Sequence, residues 1–217
     1  MNGFESVLVT LAALLPIVNP LGTAPIFLAM SADLPPQARH HLATVVARNA
    51  FLLLTAALLI GSYVLQFFGI SLPVVRVAGG MVLVAAGWRL LHSRNTVDEG
   101  PPVEDAWERE TAHRGFYPLT FPLTVGPGSI SIAITLGART AANVAGTAMN
   151  LAADLIGVTV IAIAVYLSYR FASKLIAWLG ETGTNVFLRL SAFILLCVGV
   201  SILWGGILGL LSTIPGS

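Results

Sequence analysis

Apolar residues occupy most of the chain in long runs, and polar residues collect in the stretches between them. A helix that crosses a bilayer needs about 20 predominantly apolar residues, and six runs approach or exceed that length. They cover residues 4–30, 42–66, 74–91, 117–138, 146–170 and 186–211. The pattern predicts an all-α integral membrane protein with six transmembrane helices.

The composition agrees with a membrane protein and narrows its class. Hydrophobic residues make up 56% of the 217 residues and charged residues only 10%. The mean hydropathy of +0.87 is too high for an ordinary soluble domain. A net charge of +1 gives no indication of a nucleic-acid partner. Cys197 is the only cysteine, which excludes an intramolecular disulfide and a paired-cysteine metal site, and no cofactor is expected.

One longer polar stretch, 92–116, divides the six runs into two sets of three. It carries most of the acidic residues and a Gly-Pro-Pro sequence, so it is predicted to be a linker between residues 1–91 and 117–217. Arginine and lysine favour the cytoplasmic side of a membrane. Those predicted to share one side are Arg39, Arg89, Arg94, Arg109, Arg114, Arg170 and Lys174, whereas Arg139 falls in a loop on the other side. This bias predicts a cytoplasmic linker and both termini outside the cytoplasm.

Two of the predicted spans carry proline and glycine near their centres. The first contains the sequence NPLGTAP at 19–25, and the fourth contains VGPGSIS at 125–131. Proline removes a backbone donor and clashes with the preceding turn, and glycine costs about 1 kcal/mol relative to alanine inside a helix. Helices 1 and 4 are therefore predicted to break near the midplane, with Thr23 and Ser129 as N-caps of the second half-helices.

The two interrupted stretches also indicate an internal repeat. Pro20 and Pro127 align at a separation of 107 residues, and Arg48 and Asp154 lie 106 residues apart. Arg76 and Arg189, each opening the third span of its set, lie 113 residues apart. Because each set has three spans, the second set enters the membrane from the opposite side. This predicts two inverted-topology three-helix repeats, an arrangement that recurs in secondary transporters.

Paired breaks could form a binding site from backbone groups alone. A half-helix that ends inside the membrane presents unpaired carbonyls, and one that begins there presents unpaired amides. Together these groups could hold the ammonium and carboxylate of a small zwitterionic solute. The predicted substrate-binding residues are Asn19, Pro20, Gly22, Thr23, Gly126, Pro127, Gly128 and Ser129. The alternative is that both stretches are proline kinks that only shape the bundle.

Two ionisable residues lie well inside predicted spans. Arg48 is in the second and Asp154 in the fifth, and charge at such depth costs a few kcal/mol unless it is paired or hydrated. The two side chains could form a salt bridge, or Asp154 could carry a coupling proton. Arg48 could instead extend to the membrane surface.

Several stretches resemble the MarC family of six-span inner-membrane proteins, also called UPF0056. They are LLPIVNPLGTAPIFLAMS, RNAFLLL, RVAGGMVLVAAGWRLL and FYPLTFPLTVGPGSISIAITLG, which occur in the family's order over nearly the whole chain. The resemblance implies an inner-membrane protein distantly related to amino-acid exporters, with relatives described as transporters of glycine and alanine. The positions that match the family motifs are Asn19, Pro20, Gly22, Gly126, Pro127 and Gly128.

The sequence as a whole favours a secondary transporter of small neutral amino acids that works by alternating access. An intramembrane enzyme is the first alternative, but the chain has no HExxH, GxSxG or paired-cysteine motif. A channel is the second, although no ring of like charges is evident. Lipid is the expected surrounding partner. Many small residues indicate close helix packing, within one chain or in a homo-oligomer.

Overall fold

Most of the described residues lie in helices, which are joined by short turns. The computed structural model describes residues 3–92, 114–142 and 147–212, and no strand occurs within them. The helices, numbered in chain order, are α1 (Gly3–Val18), α2 (Pro20–Ala29), α3 (Pro36–Phe67), α4 (Leu72–His92), α5 (Gly115–Thr124), α6 (Pro127–Ala142), α7 (Thr147–Arg170) and α8 (Ala172–Leu211). Most of the predicted linker, including Arg94 and Arg109, lies outside the described residues.

The described helices overlap the six predicted spans in position. Among the described residues, five segments are long and apolar enough to cross a membrane: Gly3–Leu28, Pro36–Phe67, Leu72–Arg89, Ala148–Arg170 and Asn185–Leu211. A sixth is obtained if Gly115–Thr124 and Pro127–Arg139, which meet at 70°, form one bent span. The prediction of an all-α membrane protein is confirmed.

Helix α5 is irregular because it contains two prolines. Tyr117 and Phe121, each preceding a proline, have extended rather than helical backbone angles, as the residue before proline usually does. The hydroxyl groups of Thr120 and Thr124 donate to carbonyl oxygens five residues earlier in the chain. Side-chain donors thus occupy carbonyls in a segment whose regular helical bonding is interrupted, which is what burial in a membrane requires.

The two predicted three-helix sets interleave instead of packing as separate units. In the described residues, the most extensive contacts join a helix before the linker to a helix after it: α4 with α8, α3 with α6, and α1 and α3 with α7. Helices α1 to α4 make no comparably extensive contact with one another in these parts of the chain. Each set therefore packs mainly against the other set.

The largest contact is an antiparallel, glycine-lined seam between α4 and α8. A Cβ atom on Gly80 would lie 2.6 Å from the backbone nitrogen of Leu203, and one on Gly199 would lie 2.8 Å from that of Val84. Gly87 and Gly206 make equally close approaches seven residues further along each helix. Only glycine permits the two backbones to come this close, so these residues set the spacing between α4 and α8.

The two arginines that the predicted repeat matches have different surroundings. Arg76 is half-buried on α4, with Nε 3.4 Å from the Thr135 hydroxyl, while Arg189 is exposed on α8. Their equivalence stays a prediction.

Two adjacent glycines of α8, only one of which faces α4 closely, allow the seam to be tested. A Cβ on Gly206 would lie 2.8 Å from the Val77 backbone nitrogen, whereas one on Gly205 has no neighbour within 4 Å. We expect Gly206→Ala to lower the free energy of unfolding in detergent micelles by about 1–3 kcal/mol, the usual cost of overpacking. Gly205→Ala is the control and should be neutral or slightly stabilising, because alanine favours helix. Equal destabilisation by the two substitutions would contradict the seam.

Candidate functional site

The interruption of the first span is built around Asn19. This residue has φ 43° and ψ 61°, the left-handed conformation that asparagine tolerates better than most residues. Its side-chain oxygen accepts a hydrogen bond from the Gly22 N–H at 3.2 Å, and Pro20 is the first residue of α2. Asn19 is therefore the N-cap of α2. The prediction that Thr23 caps this half-helix was wrong: Thr23 lies inside α2, and its hydroxyl donates back to the Asn19 carbonyl at 3.1 Å.

The interruption of the fourth span lies at Val125 and Gly126, between α5 and α6. Helix α6 begins at Pro127, whose fixed φ suits the first position of a helix. Ser129 is two residues inside α6, and its fully buried hydroxyl donates to the Gly126 carbonyl at 2.9 Å. The prediction that Ser129 is the N-cap was therefore wrong for the same reason as that for Thr23. In both spans the proline, and not the hydroxyl residue, marks the start of the new helix.

The two helix starts share one hydrogen-bond pattern and differ in shape. Pro20 and Pro127 each begin a helix. Thr23 N–H donates to the Asn19 carbonyl at 3.0 Å, and Ile130 N–H donates to that of Gly126 at 3.1 Å. Gly3–Leu28 is nevertheless long and apolar enough to count as one span, whereas α5 and α6 meet at 70°.

Tyr169 of α7 connects the two interrupted spans. Its hydroxyl donates to the Thr23 hydroxyl of α2 at 2.9 Å and lies 2.7 Å from the Thr124 hydroxyl of α5. The ring stacks on Phe27 with centroids 4.4 Å apart, and only 1% of the side chain is exposed. Sequence analysis did not single out Tyr169. The sequence feature that could have indicated it is a tyrosine inside an apolar helix, because a buried tyrosine needs a hydrogen-bond partner for its hydroxyl. The sequence does not identify that partner.

A second buried polar cluster joins α1 to α7 at the other end of α7. The Ser6 hydroxyl donates to the Asn150 side-chain oxygen at 3.1 Å, and the Thr10 hydroxyl donates to the Asp154 carboxylate at 2.6 Å. Each pair is one helical turn from the other on both helices, which shows that α1 and α7 run in the same direction. Gly157 allows this approach, because a Cβ there would lie 2.6 Å from the Thr10 methyl group.

The cation that faces Asp154 is Arg139. Its Nη2 atom lies 3.8 Å from the carboxylate, and the arginine side chain is 39% exposed while that of Asp154 is fully buried. The sequence predicted Arg139 in a loop, but α6 continues to Ala142 and places it in the last turn. Arg48 is exposed on α3, and the ion pair that the described residues show for Asp154 is with Arg139. Arg139 was predicted to lie in a loop because the predicted span ended at residue 138, whereas α6 ends at Ala142.

Together the two clusters tie α7 to all four half-helices. Asp154 contacts α1 through Thr10 and α6 through Arg139. Tyr169 contacts α2 and α5 through Thr23 and Thr124. Between Asp154 and Tyr169, the buried face of α7 is aliphatic and consists of Val158, Ile161 and Val165, all fully buried. Each interrupted span is thus held by α7 on both sides of its interruption.

The other predicted site residues have mixed environments. Pro20 and Gly22 are buried, whereas Asn19, Gly126 and Pro127 are half-buried. Gly128 packs against α4, where a Cβ would overlap the Leu83 side chain. Helix packing therefore explains Gly128 without a ligand.

One buried hydroxyl beside the α6 start has no partner. Ser131 is fully buried, and its hydroxyl has no hydrogen-bond partner among the described residues. It lies beside Gly79 of α4, as does the Pro127 carbonyl. Buried hydroxyls almost always have a partner, so Ser131 is a polar group available to a ligand or water next to the start of α6. No group of three or more His, Cys, Asp or Glu residues in the described ranges could hold a metal ion.

These features define a class of protein: a multi-span helical membrane protein in which the buried face of α7 contacts the segments on both sides of Asn19 and of Gly126. Comparison with known families identifies it further. The model of the MarC family of integral membrane proteins matches residues 4–211, so the chain belongs to that family. This confirms the resemblance inferred from its motifs.

Curated relatives match the chain over almost its full length and at the same percentage identity. The chain is 29% identical to the UPF0056 inner membrane protein MarC of Escherichia coli over 216 residues, 97% of each protein. It is also 29% identical to the protein of that name from Citrobacter koseri over 219 residues, covering 98% of this chain and 99% of the relative. Both relatives are named as inner membrane proteins. No solved structure matches the chain.

Proposed function

We propose that this protein is a secondary transporter of small solutes, and that its substrates are small neutral amino acids such as alanine and glycine. The observation that carries the proposal is the connection of two equivalent chain interruptions through one buried tyrosine. Proteins rarely break a helix inside a membrane unless the freed backbone is packed or lines a polar site. Paired interruptions in two halves of a chain are the feature most typical of transporter binding sites.

The chemistry around the interruptions suits a zwitterion. The starts of α2 and α6 direct backbone N–H groups and the positive ends of helix dipoles toward the interruptions, where a carboxylate would be favoured. Hydroxyl and carbonyl oxygens of Thr23, Thr124 and Gly126 lie nearby and can accept from an ammonium group. The Ser131 hydroxyl, which lacks a partner among the described residues, adds a further polar contact. No buried side-chain charge is needed at this site.

An inverted repeat is part of the proposal. The helix contacts occur in pairs that exchange the two halves: α4 packs on α6 as α8 packs on α2, and α3 packs on α6 as α7 packs on α1 and α2. The prolines that begin α2 and α6 and the glycine spacing in α4 and α8 support the same exchange. In an inverted repeat the two halves of the chain have related structures and opposite orientations in the membrane. Movement of one half against the other exposes the site between them to each side in turn, which is alternating access.

We further propose that the end of the bundle near Tyr169 is cytoplasmic. There Arg114 pairs with Asp33 at 2.7 Å, Arg39 donates to the Ser31 carbonyl, and Arg170 follows Tyr169. Arg139 lies at the opposite end, beside Asp154. This distribution follows the preference of basic residues for the cytoplasmic side and would place both termini outside the cytoplasm.

The alternatives make different predictions in sealed vesicles. A transporter accumulates its substrate unchanged and saturates, an intramembrane enzyme releases a modified product, and a channel equilibrates its solute without saturation. We expect reconstituted protein to accumulate labelled alanine and glycine that chromatograph unchanged. A modified product would establish an enzyme, and unsaturable flux would establish a channel.

A matched pair of threonines tests the site. Thr23→Val removes the hydroxyl that lies between Tyr169 and Asn19, and we expect the initial rate of alanine uptake to fall about tenfold, since losing a buried hydrogen bond costs about 1–3 kcal/mol. Thr159→Val is the control, because this exposed hydroxyl of α7 also donates to a carbonyl four residues earlier, at 2.8 Å. Equal uptake by the two variants would place Thr23 outside the site.

The proposed role of Asp154 is coupling to protons. Asp154→Asn keeps the size of the side chain and removes its charge, so we expect uptake that no longer responds to an imposed proton gradient, with normal membrane insertion. Arg139→Gln is the companion variant, because it removes the facing cation and leaves the carboxylate in place. Gradient-driven uptake by Asp154→Asn at the wild-type rate would remove Asp154 from coupling.

A further inference from the structure

We infer that the two polar clusters on α7 are a pair of gates that open alternately at opposite ends of the bundle. The first gate consists of Asp154, Thr10 and Arg139, and the second consists of Tyr169, Thr23 and Thr124. This inference rests on the proposed transport function and assigns the moving contacts to named side chains.

Each gate joins the two halves of the chain. The first gate connects α1, from before the linker, with α6 and α7, from after it. The second connects α2 with α5 and α7. Opening either gate therefore separates one half of the repeat from the other at one end of the bundle. Fifteen residues of α7 separate Asp154 from Tyr169, a distance of about 22 Å along a helix.

The interruptions give each half-helix a place to turn. Asn19 separates Thr10 from Thr23 within the first span, and Gly126 separates Thr124 from Arg139 within the fourth. Asn19 has left-handed backbone angles, and the helices on either side of Gly126 meet at 70°. A change of backbone angles at these two positions would let α1 leave α7 while α2 stays attached, or the reverse. Hinges of this kind are a few residues at element ends that absorb a change of backbone angles.

The first gate is formed by an exchangeable contact. Arg139 is 39% exposed and approaches the buried Asp154 carboxylate only to 3.8 Å, so its guanidinium can be released to water at the membrane surface. The second gate is held by hydroxyl groups and by stacking of Tyr169 on Phe27. One gate is thus ionic and the other is not, which allows each to be weakened by its own substitution.

A single cysteine between the gates tests the inference. Ile161 is fully buried on α7 between Asp154 and Tyr169, so Ile161→Cys, in a Cys197→Ala background, reports entry of a membrane-impermeant thiol reagent. Labelling is measured with the reagent on either face, in spheroplasts and in inverted vesicles. Lys174→Cys, exposed just beyond Tyr169, identifies which face carries the second gate independently of the proposed orientation.

The expected result is reciprocal. Arg139→Gln should raise labelling of residue 161 from the Arg139 face and lower it from the Tyr169 face. We expect a rise of about fivefold, which corresponds to the lower end of typical coupling energies. Tyr169→Phe should do the opposite. The controls are Arg189→Gln, at an exposed position of α8, and Tyr63→Phe, whose side chain is 65% exposed, and both should label as the wild type does.

Other outcomes overturn the inference. A rise from both faces in either variant would mean that the substitution only loosens packing, and no change in both variants would mean that neither cluster restricts access. If Tyr169→Phe does not accumulate in the membrane, Thr124→Val weakens the same gate and carries the same expectation. The labelling needs no substrate, so it tests the gates separately from the proposed function. Reciprocal labelling without amino-acid uptake would retain the gates and reject the proposed substrate. Uptake without reciprocal labelling would retain the substrate and reject the gates.

Discussion

The structure depends on one constraint: a helix interrupted inside the membrane must have its freed polar groups satisfied by protein. Water is absent from the bilayer core, and each unsatisfied backbone group there costs several kcal/mol. In this chain some of these polar groups are bonded within their own span: Asn19 caps α2, and Thr124 donates to the Leu119 carbonyl. Tyr169 then joins the two interrupted spans to each other. The helix that supplies Tyr169 also supplies Asp154, so α7 organises both ends of the interrupted pair.

Rigid and adjustable contacts are separated in this fold. The seam between α4 and α8 brings backbone against backbone through Gly80, Gly87, Gly199 and Gly206, which leaves little freedom for movement. The four half-helices make hydrogen bonds and one long ion pair with α7. Because packed interfaces tend to have discrete arrangements, this division suits a protein in which the interrupted spans move against a fixed pair of helices.

The sequence predicted the spans well and the site only in part. Long apolar runs determine where helices cross, whereas Pro20 and Pro127 each begin a helix that was predicted to start after Thr23 or Ser129. The cap residues were wrong because a hydroxyl can donate to a carbonyl behind it as readily as it accepts from an amide ahead. Nothing in the sequence chooses between those two bonds at Thr23 or Ser129.

Partners across the bundle were the least predictable part. Asp154 was recognised as unusual from its depth alone, but its facing cation depends on how far α6 extends and on the direction of α7 relative to α1. Tyr169 was missed because one tyrosine near a helix end is common in membrane proteins. Only the interleaving of the two halves brings it between the interrupted spans. Local signals therefore located the interruptions, and long-range packing determined what connects them.

The central claim is that the paired interruptions bind both charged groups of a small amino acid. It is tested most directly by the thermal stability of the purified protein with alanine, propionate or ethylamine, because the last two each lack one charged group. A ligand that binds only the folded state stabilises it by about 2.7 kcal/mol at one hundred times its dissociation constant. We predict a concentration-dependent rise in Tm with alanine and none with propionate, ethylamine or their mixture. No rise with alanine, or an equal rise with either analogue, would contradict the account.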